Sequence, residues 1–135
     1  MRRRKKDKVI IVMQQYKLGD MEQKFANLIW AYAPISSGEL VKLCENEFNW
    51  KRTTTYTMLK RLCDRKIFVN ENGTVIVAMS KEEFQAGQGK AFIDKNFGGS
   101  LPRFLVAFHK KKRLSSKEID ELKKLIEEYE EERDD

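Results

Sequence analysis

The chain has 135 residues, the size of one average domain or of a small domain with an appendage. Its 41% hydrophobic residues suffice for a core, which excludes a disordered chain, and no apolar run approaches the roughly 18 residues of a spanning helix, so no membrane association is expected. Charged residues make up 36% and the net charge is +6, which points to an anionic partner.

The charge is unevenly placed. Residues 1–17 carry seven Lys or Arg against one Asp, while residues 18–80 and 81–135 are each nearly neutral. The tail superficially resembles a signal peptide, but its apolar stretch at residues 9–13 is short of the roughly seven to fifteen residues that export needs. A cytoplasmic location is therefore expected. Two readings of the tail stay open: a basic arm lying on nucleic-acid phosphates, or a frayed, solvated end. Met13 is a second candidate start.

From Asp20, apolar residues recur at Met21, Phe25, Leu28, Ile29 and Tyr32, which is helical spacing with Asp20 as the expected cap. Pro34 ends that helix. Ser36-Ser-Gly-Glu39 has the form of a capping box and opens a second helix with Leu40, Val41, Leu43, Cys44 and Phe48 apolar. A third helix is predicted over residues 51–66. Thr55, Met58, Leu59, Leu62 and Cys63 fall on its inward face. Thr53, Thr54, Tyr56, Thr57, Lys60, Arg61 and Arg65 fall on its outward face. Residues 50–66 hold Lys51, Arg52, Lys60, Arg61, Arg65 and Lys66 against Asp64 alone, whereas a solvated face mixes signs. Asn72-Gly73 between two β-branched runs then signals a hairpin, because both turn positions need positive φ.

Three short helices followed by a hairpin is the order of a winged helix-turn-helix. One helix of such a domain enters the major groove and the hairpin lies on the adjacent backbone. On the third helix, Thr53, Thr54, Tyr56 and Thr57 offer hydroxyls and methyls to base edges. Lys60, Arg61 and Arg65 suit phosphate or guanine, and Lys51 and Arg52 sit where the helix N-terminus favours phosphate.

Gly98-Gly99 and Pro102 divide the C-terminal third into about three helices. Phe84, Phe92, Ile93 and Phe97 belong to the first, and Leu101, Phe104, Leu105 and Phe108 to the second. A capping box at Ser115-Ser-Lys-Glu118 opens the third, with Ile119, Leu122, Leu125, Ile126 and Tyr129 at helical spacing. Five of the eight phenylalanines lie here, and so small a helical segment rarely buries that surface alone. A homodimer is expected, with Phe92, Phe97, Leu101, Phe104, Leu105, Phe108, Ile119, Leu122, Leu125 and Ile126 at its interface, and it supplies the two-fold symmetry with which a helix-turn-helix protein meets a palindromic duplex. The expected architecture is mainly α with a small antiparallel β hairpin. It comprises a mobile tail (1–17), a winged helix-turn-helix domain (18–80) and a helical dimerisation region (81–135).

The run Trp50-Lys-Arg-Thr-Thr-Thr-Tyr-Thr-Met-Leu-Lys-Arg-Leu62 resembles the recognition helix of the penicillinase-repressor family, the BlaI/MecI/CopY type. Met21-Glu-Gln-Lys-Phe-Ala-Asn-Leu-Ile-Trp30 is similar to that family's first helix. Phe92-Ile-Asp-Lys-Asn-Phe-Gly-Gly99 and Leu114-Ser-Ser-Lys-Glu-Ile-Asp-Glu-Leu122 are similar to its dimerisation segment. The resemblance implies a bacterial homodimeric repressor on a palindromic double-stranded DNA operator, controlling a beta-lactam resistance or related operon. It also implies an inducing protease. The family's cut lies at an Asn-Phe step whose counterpart here is Ala107-Phe108, so the Asn is missing. Family members usually carry Gly after the recognition helix. Lys66 stands there in this chain, so that corner is expected to be built differently. The copper-responsive branch has paired cysteines near the C-terminus, and this chain has none after Cys63.

An enzyme is not expected. His109 is the only histidine, and there is no Gly-rich phosphate loop, no nucleophile with its base and no metal-ligand cluster, so neither metal nor cofactor is expected. Cys44 and Cys63 read as small buried hydrophobes in a reducing compartment. The competing functional class is a winged helix used for protein–protein docking without sequence-specific DNA binding.

Overall fold

The computed structural model describes residues 15–133; the basic tail before Gln15, with both of its readings, lies outside the described residues. In chain order the elements are α1 (Asp20–Tyr32), β1 (Ile35–Ser36), α2 (Ser37–Phe48), α3 (Arg52–Asp64), β2 (Phe68–Glu71) and β3 (Thr74–Val77). They continue with α4 (Lys81–Phe97), α5 (Leu101–Lys111) and α6 (Ser116–Glu131).

Serine side chains start four of the helices. Ser36, Ser80, Ser100 and Ser115 each accept a hydrogen bond from the backbone N–H three residues on. Each such cap contributes about 1 kcal/mol. At α6 the box is reciprocal: Ser115 N–H donates to Glu118 Oε1 at 3.0 Å, and Glu118 N–H donates to Ser115 Oγ at 3.1 Å. That pair holds the Glu118 carboxyl below its ordinary range. α1 begins one residue earlier than expected: Gly19 is its cap, not Asp20, and the Gly19 N–H is satisfied by Glu22 Oε1.

The hairpin forms as the Asn-Gly signal requires, with Asn72 at φ 51° and Gly73 at φ 88°. It has an unanticipated third strand. β1 pairs antiparallel with β3, Ile35 opposite Val75 and Ser36 opposite Thr74, giving the order β1-β3-β2. Ser37 N–H donates to the Gly73 carbonyl at 2.8 Å, which ties the start of α2 to the hairpin tip.

The corner after α3 corrects the expectation drawn from Lys66. The chain keeps the left-handed turn and makes it with lysine, at φ 64°. Lys66 N–H donates to the Cys63 carbonyl and Ile67 N–H to the Leu62 carbonyl, the bond pair of a Schellman motif. Leu62 and Ile67, the residues that such a motif brings into contact, are both fully buried. The apolar contact and the two bonds hold a conformation that a Cβ disfavours.

The core gathers Phe25, Ala26 and Ile29 of α1, Leu40 and Cys44 of α2, Leu59 and Leu62 of α3, and Phe68 and Val75 of the hairpin. Phe84, which the sequence grouped with the C-terminal helices, is also fully buried in it. The ring contacts run from Tyr16 to Phe84 to Trp30 to Phe68, at 5.4–5.6 Å between centroids. The first turn of α4 is thus part of the winged core.

Beyond it, α5 and α6 contain no buried residue in the protomer. Phe92, Phe97, Phe104 and Phe108 form a ring cluster with neighbouring centroids 5.4–6.1 Å apart. Phe104, Leu105, Phe108, Leu122 and Leu125 line an open groove of about 290 Å³ between α5 and α6.

Candidate nucleic-acid interface

α3 is positioned by its inward face. Thr55, Leu59 and Leu62 are buried, and Trp50 at its entry packs on Phe25 and Phe48 at 5.3 and 4.9 Å. Asn49 takes the left-handed conformation at the end of α2, at φ 55°, so the turn into α3 spans only residues 49–51. The opposite face is left to solvent. Lys51, Arg52, Thr53, Thr54, Thr57, Lys60 and Arg61 are all exposed there, as the sequence placed them.

Their chemistry differs in detail. The Arg52 guanidinium lies over the Tyr56 ring, 5.5 Å from its centroid. The Tyr56 hydroxyl donates to Ser37 Oγ at 3.1 Å; the Ser37 hydroxyl, free to turn and donate to the phenolate, draws the Tyr56 pKa below the ordinary phenol value, with help from Arg52. Tyr56 therefore bridges α3 to the start of α2 rather than standing free. The Thr57 hydroxyl donates to the Thr53 carbonyl at 2.9 Å, which leaves its methyl and its oxygen lone pairs for a ligand. The Arg61 guanidinium lies 3.6 Å from the Met58 sulfur. Among the described residues, no ion pair involves Lys51, Arg52, Lys60 or Arg61.

Arg65 is the exception on the predicted face. Its Nη1 donates to the Lys17 carbonyl at 2.6 Å and lies 3.4 Å from Glu22 Oε2. Gln15 Nε2 in turn donates to the Arg65 carbonyl at 3.2 Å. The residue is turned toward the start of α1 and joins α3 to the segment before it. A sequence signal for this existed in Glu22, but pairing it with a residue 43 positions later required the fold.

The hairpin adds little positive charge. Its sequence from Phe68 to Val77 contains Glu71 and no Lys or Arg. What the tip offers is polar: Asn70, Glu71, Asn72 and Thr74 are exposed. Asn70 Oδ1 is engaged by the Gly73 N–H at 3.0 Å.

Cys44 and Cys63 are free thiols raised above their ordinary pKa by burial. Among the described residues, no cluster of His, Cys, Asp or Glu is arranged to hold a metal ion, and no helix is long and apolar enough to cross a membrane. The predicted dimerisation residues lie along α4, α5 and α6, with Phe92, Leu101, Phe108, Leu125 and Ile126 exposed. Phe97, Phe104, Leu105, Ile119 and Leu122 are half-buried. Ala107 and Phe108 both stand exposed within α5.

The penicillinase repressor family profile matches residues 18–128. A penicillinase repressor of Bacillus licheniformis is 25% identical over 117 residues, covering 84% of this chain and 91% of that protein. A penicillinase repressor of Staphylococcus aureus is 26% identical over 84% of this chain and 93% of its own length. The methicillin resistance regulatory protein MecI of S. aureus Mu50 is 23% identical over 82% of this chain and 94% of its own length. With the family profile matched over most of its length, the chain belongs to the penicillinase repressor family, bacterial transcriptional regulators and not enzymes.

Proposed function

We propose that this repressor binds a pseudo-palindromic operator as a homodimer, with α3 in the major groove. The observation that carries this reading is the exposed α3 face, on which Lys51, Arg52, Lys60 and Arg61 make no ion pair among the described residues and stand beside Thr53, Thr54 and Thr57. A cationic, hydroxyl-rich helix face of this kind matches both phosphate and base edges. Tyr56 serves it as a brace, and Arg65 serves it as the joint at the helix end. The apolar stripes of α5 and α6, unburied in the protomer, support the dimer. The two-fold axis then sets two copies of α3 about one helical turn apart, roughly 34–36 Å. We place the protein in the cytoplasm, and its operon among the beta-lactam resistance or related systems that its relatives' names describe.

Release by an inducing protease would act at Ala107-Phe108. That step is exposed but helical, so a protease must first open part of α5. The family's Asn is absent there.

The test is titration of the intact protein against selected duplex DNA across salt concentrations. With six to ten phosphates engaged, affinity falls about 10³–10⁵-fold between 50 and 200 mM salt. Thr57→Ala combined with Arg61→Ala should remove sequence preference while leaving salt-dependent binding to random duplex. Unchanged preference in that double variant refutes the assignment of α3. Weak binding at every salt concentration instead favours a protein-docking module.

A further inference from the structure

Residues 15–18 run as a strap between the two halves of the molecule. At one end, the strap meets the C-terminal end of α3. Gln15 Nε2 donates to the Arg65 carbonyl at 3.2 Å, and the Arg65 guanidinium donates back to the Lys17 carbonyl at 2.6 Å. At the other end it meets the middle of α4, where Gln88 Nε2 donates to the Tyr16 carbonyl at 3.2 Å. Between these bonds the Tyr16 ring lies directly on the backbone of Gly87, and a Cβ built there would fall within the ring. Only glycine fits beneath it. The same ring packs on Phe84 at 5.6 Å between centroids, and Phe84 is itself fully buried.

The mechanical consequence follows from length. The ten residues of α4 beyond Gly87 extend about 15 Å from this contact. A tilt of about 15° there moves its far end by about 4 Å, more than the roughly 3.4 Å rise of one base pair. α5 and α6 are carried on that far end. The angle between α3 and α4 therefore determines where the second recognition helix falls on the duplex.

We propose that the strap fixes this angle, and that Tyr16 and Gly87 are positioning residues that set the operator's half-site spacing. They touch no DNA in this scheme. Tyr16 acts as a wedge, Gly87 as its seat, and Arg65 transmits the constraint to the recognition helix. The inference rests on the dimeric-operator reading above. Two linked half-site contacts exceed one by about 10²–10⁴ only at spacings that the dimer can reach, so a stiff joint concentrates that advantage at one spacing.

The intact protein is first used to select a palindrome from a random duplex pool. The winner is then resynthesised with one to three base pairs added or removed at the dyad, alongside a duplex bearing a single half-site. Wild type should prefer one spacing by about tenfold over neighbours two base pairs away. Tyr16→Ala and Gly87→Ala should each flatten that profile, losing about tenfold at the best spacing, with single half-site binding unchanged. Tyr16→Phe keeps the ring and should keep the profile. Identical profiles in wild type and both variants overturn the proposal. So does an equal loss on the single half-site, since the strap would then merely hold α3 in place. Selection of a site without two-fold repetition overturns the dimeric-operator reading itself.

Discussion

Lys66 offers a direct measure of the strain held at the end of α3. Its φ of 64° places a side chain in the left-handed region, where a non-glycine residue costs about 1–2 kcal/mol. Replacing it with glycine removes that cost but adds roughly 0.5–1 kcal/mol of unfolded-chain entropy. The net gain for Lys66→Gly is about 0.5–1 kcal/mol, or a rise in Tm of about 2–4 °C for a chain of this size. The exposed side chain adds no hydrogen bond or ion pair of its own among the described residues, so little is lost with it. The Schellman bonds from Lys66 and Ile67 use backbone groups and survive the change. Lys66→Ala removes the charge and keeps the Cβ, so it should leave stability nearly unchanged. Lys66→Val, branched at Cβ, should be less stable than wild type by about 1 kcal/mol or more. Urea unfolding followed by tryptophan fluorescence reports all three, since Trp30 and Trp50 both pack against the core. A Lys66→Gly protein no more stable than wild type, or an equally large gain in Lys66→Ala, would refute the strain argument.

Three further outcomes follow from the same geometry. Leu122→Asp with Leu125→Asp should give a monomer by sedimentation with an intact winged core, because each places a charge in the apolar groove between α5 and α6; a dimer in that variant would remove this groove from the interface. Glu71→Lys at the hairpin tip should strengthen binding to random duplex and steepen the log–log salt slope by about one to two, if the hairpin lies on phosphate; an unchanged slope would place the hairpin away from the backbone. Burial raises both thiols, so the folded state holds their protons more tightly than the unfolded chain. Their contribution is complete below the ordinary thiol pKa and is lost as pH rises through the raised values. The urea midpoint should therefore fall between pH 7 and pH 10, and Cys44→Ala with Cys63→Ala should reduce that fall; an equal fall in both proteins would assign it to other groups.

Much of this was legible in sequence, for identifiable reasons. The Asn72-Gly73 turn, the serine caps of α2 and α6 and the apolar spacing of α1 to α3 are local signals, written within a few residues of where they act. The exposed α3 face followed from the same periodicity. What escaped was either too short or too distant to leave a pattern. β1 has two residues, fewer than any alternation can mark. The ties from Arg65 to Lys17 and Glu22 cross more than forty positions, and the seating of Tyr16 on Gly87 crosses about seventy. Lys66 misled because glycine is the common residue for a left-handed corner but not the only one. Buried Leu62 and Ile67, together with two backbone bonds, hold the corner against the cost of its Cβ.

The absence of buried residues in α5 and α6 bears on dosage. If, as proposed, these helices gain their apolar burial from a second copy, folding and association become parts of one equilibrium. In that scheme the monomer would dominate at low abundance and dimer would rise with the square of total protein, so operator occupancy would climb more steeply than abundance. Unpaired protomers would present Phe92, Leu125 and Ile126 to solvent and so to cellular proteases. The exposed helices would thus shorten the life of unpaired chains and sharpen the threshold at which repression sets in.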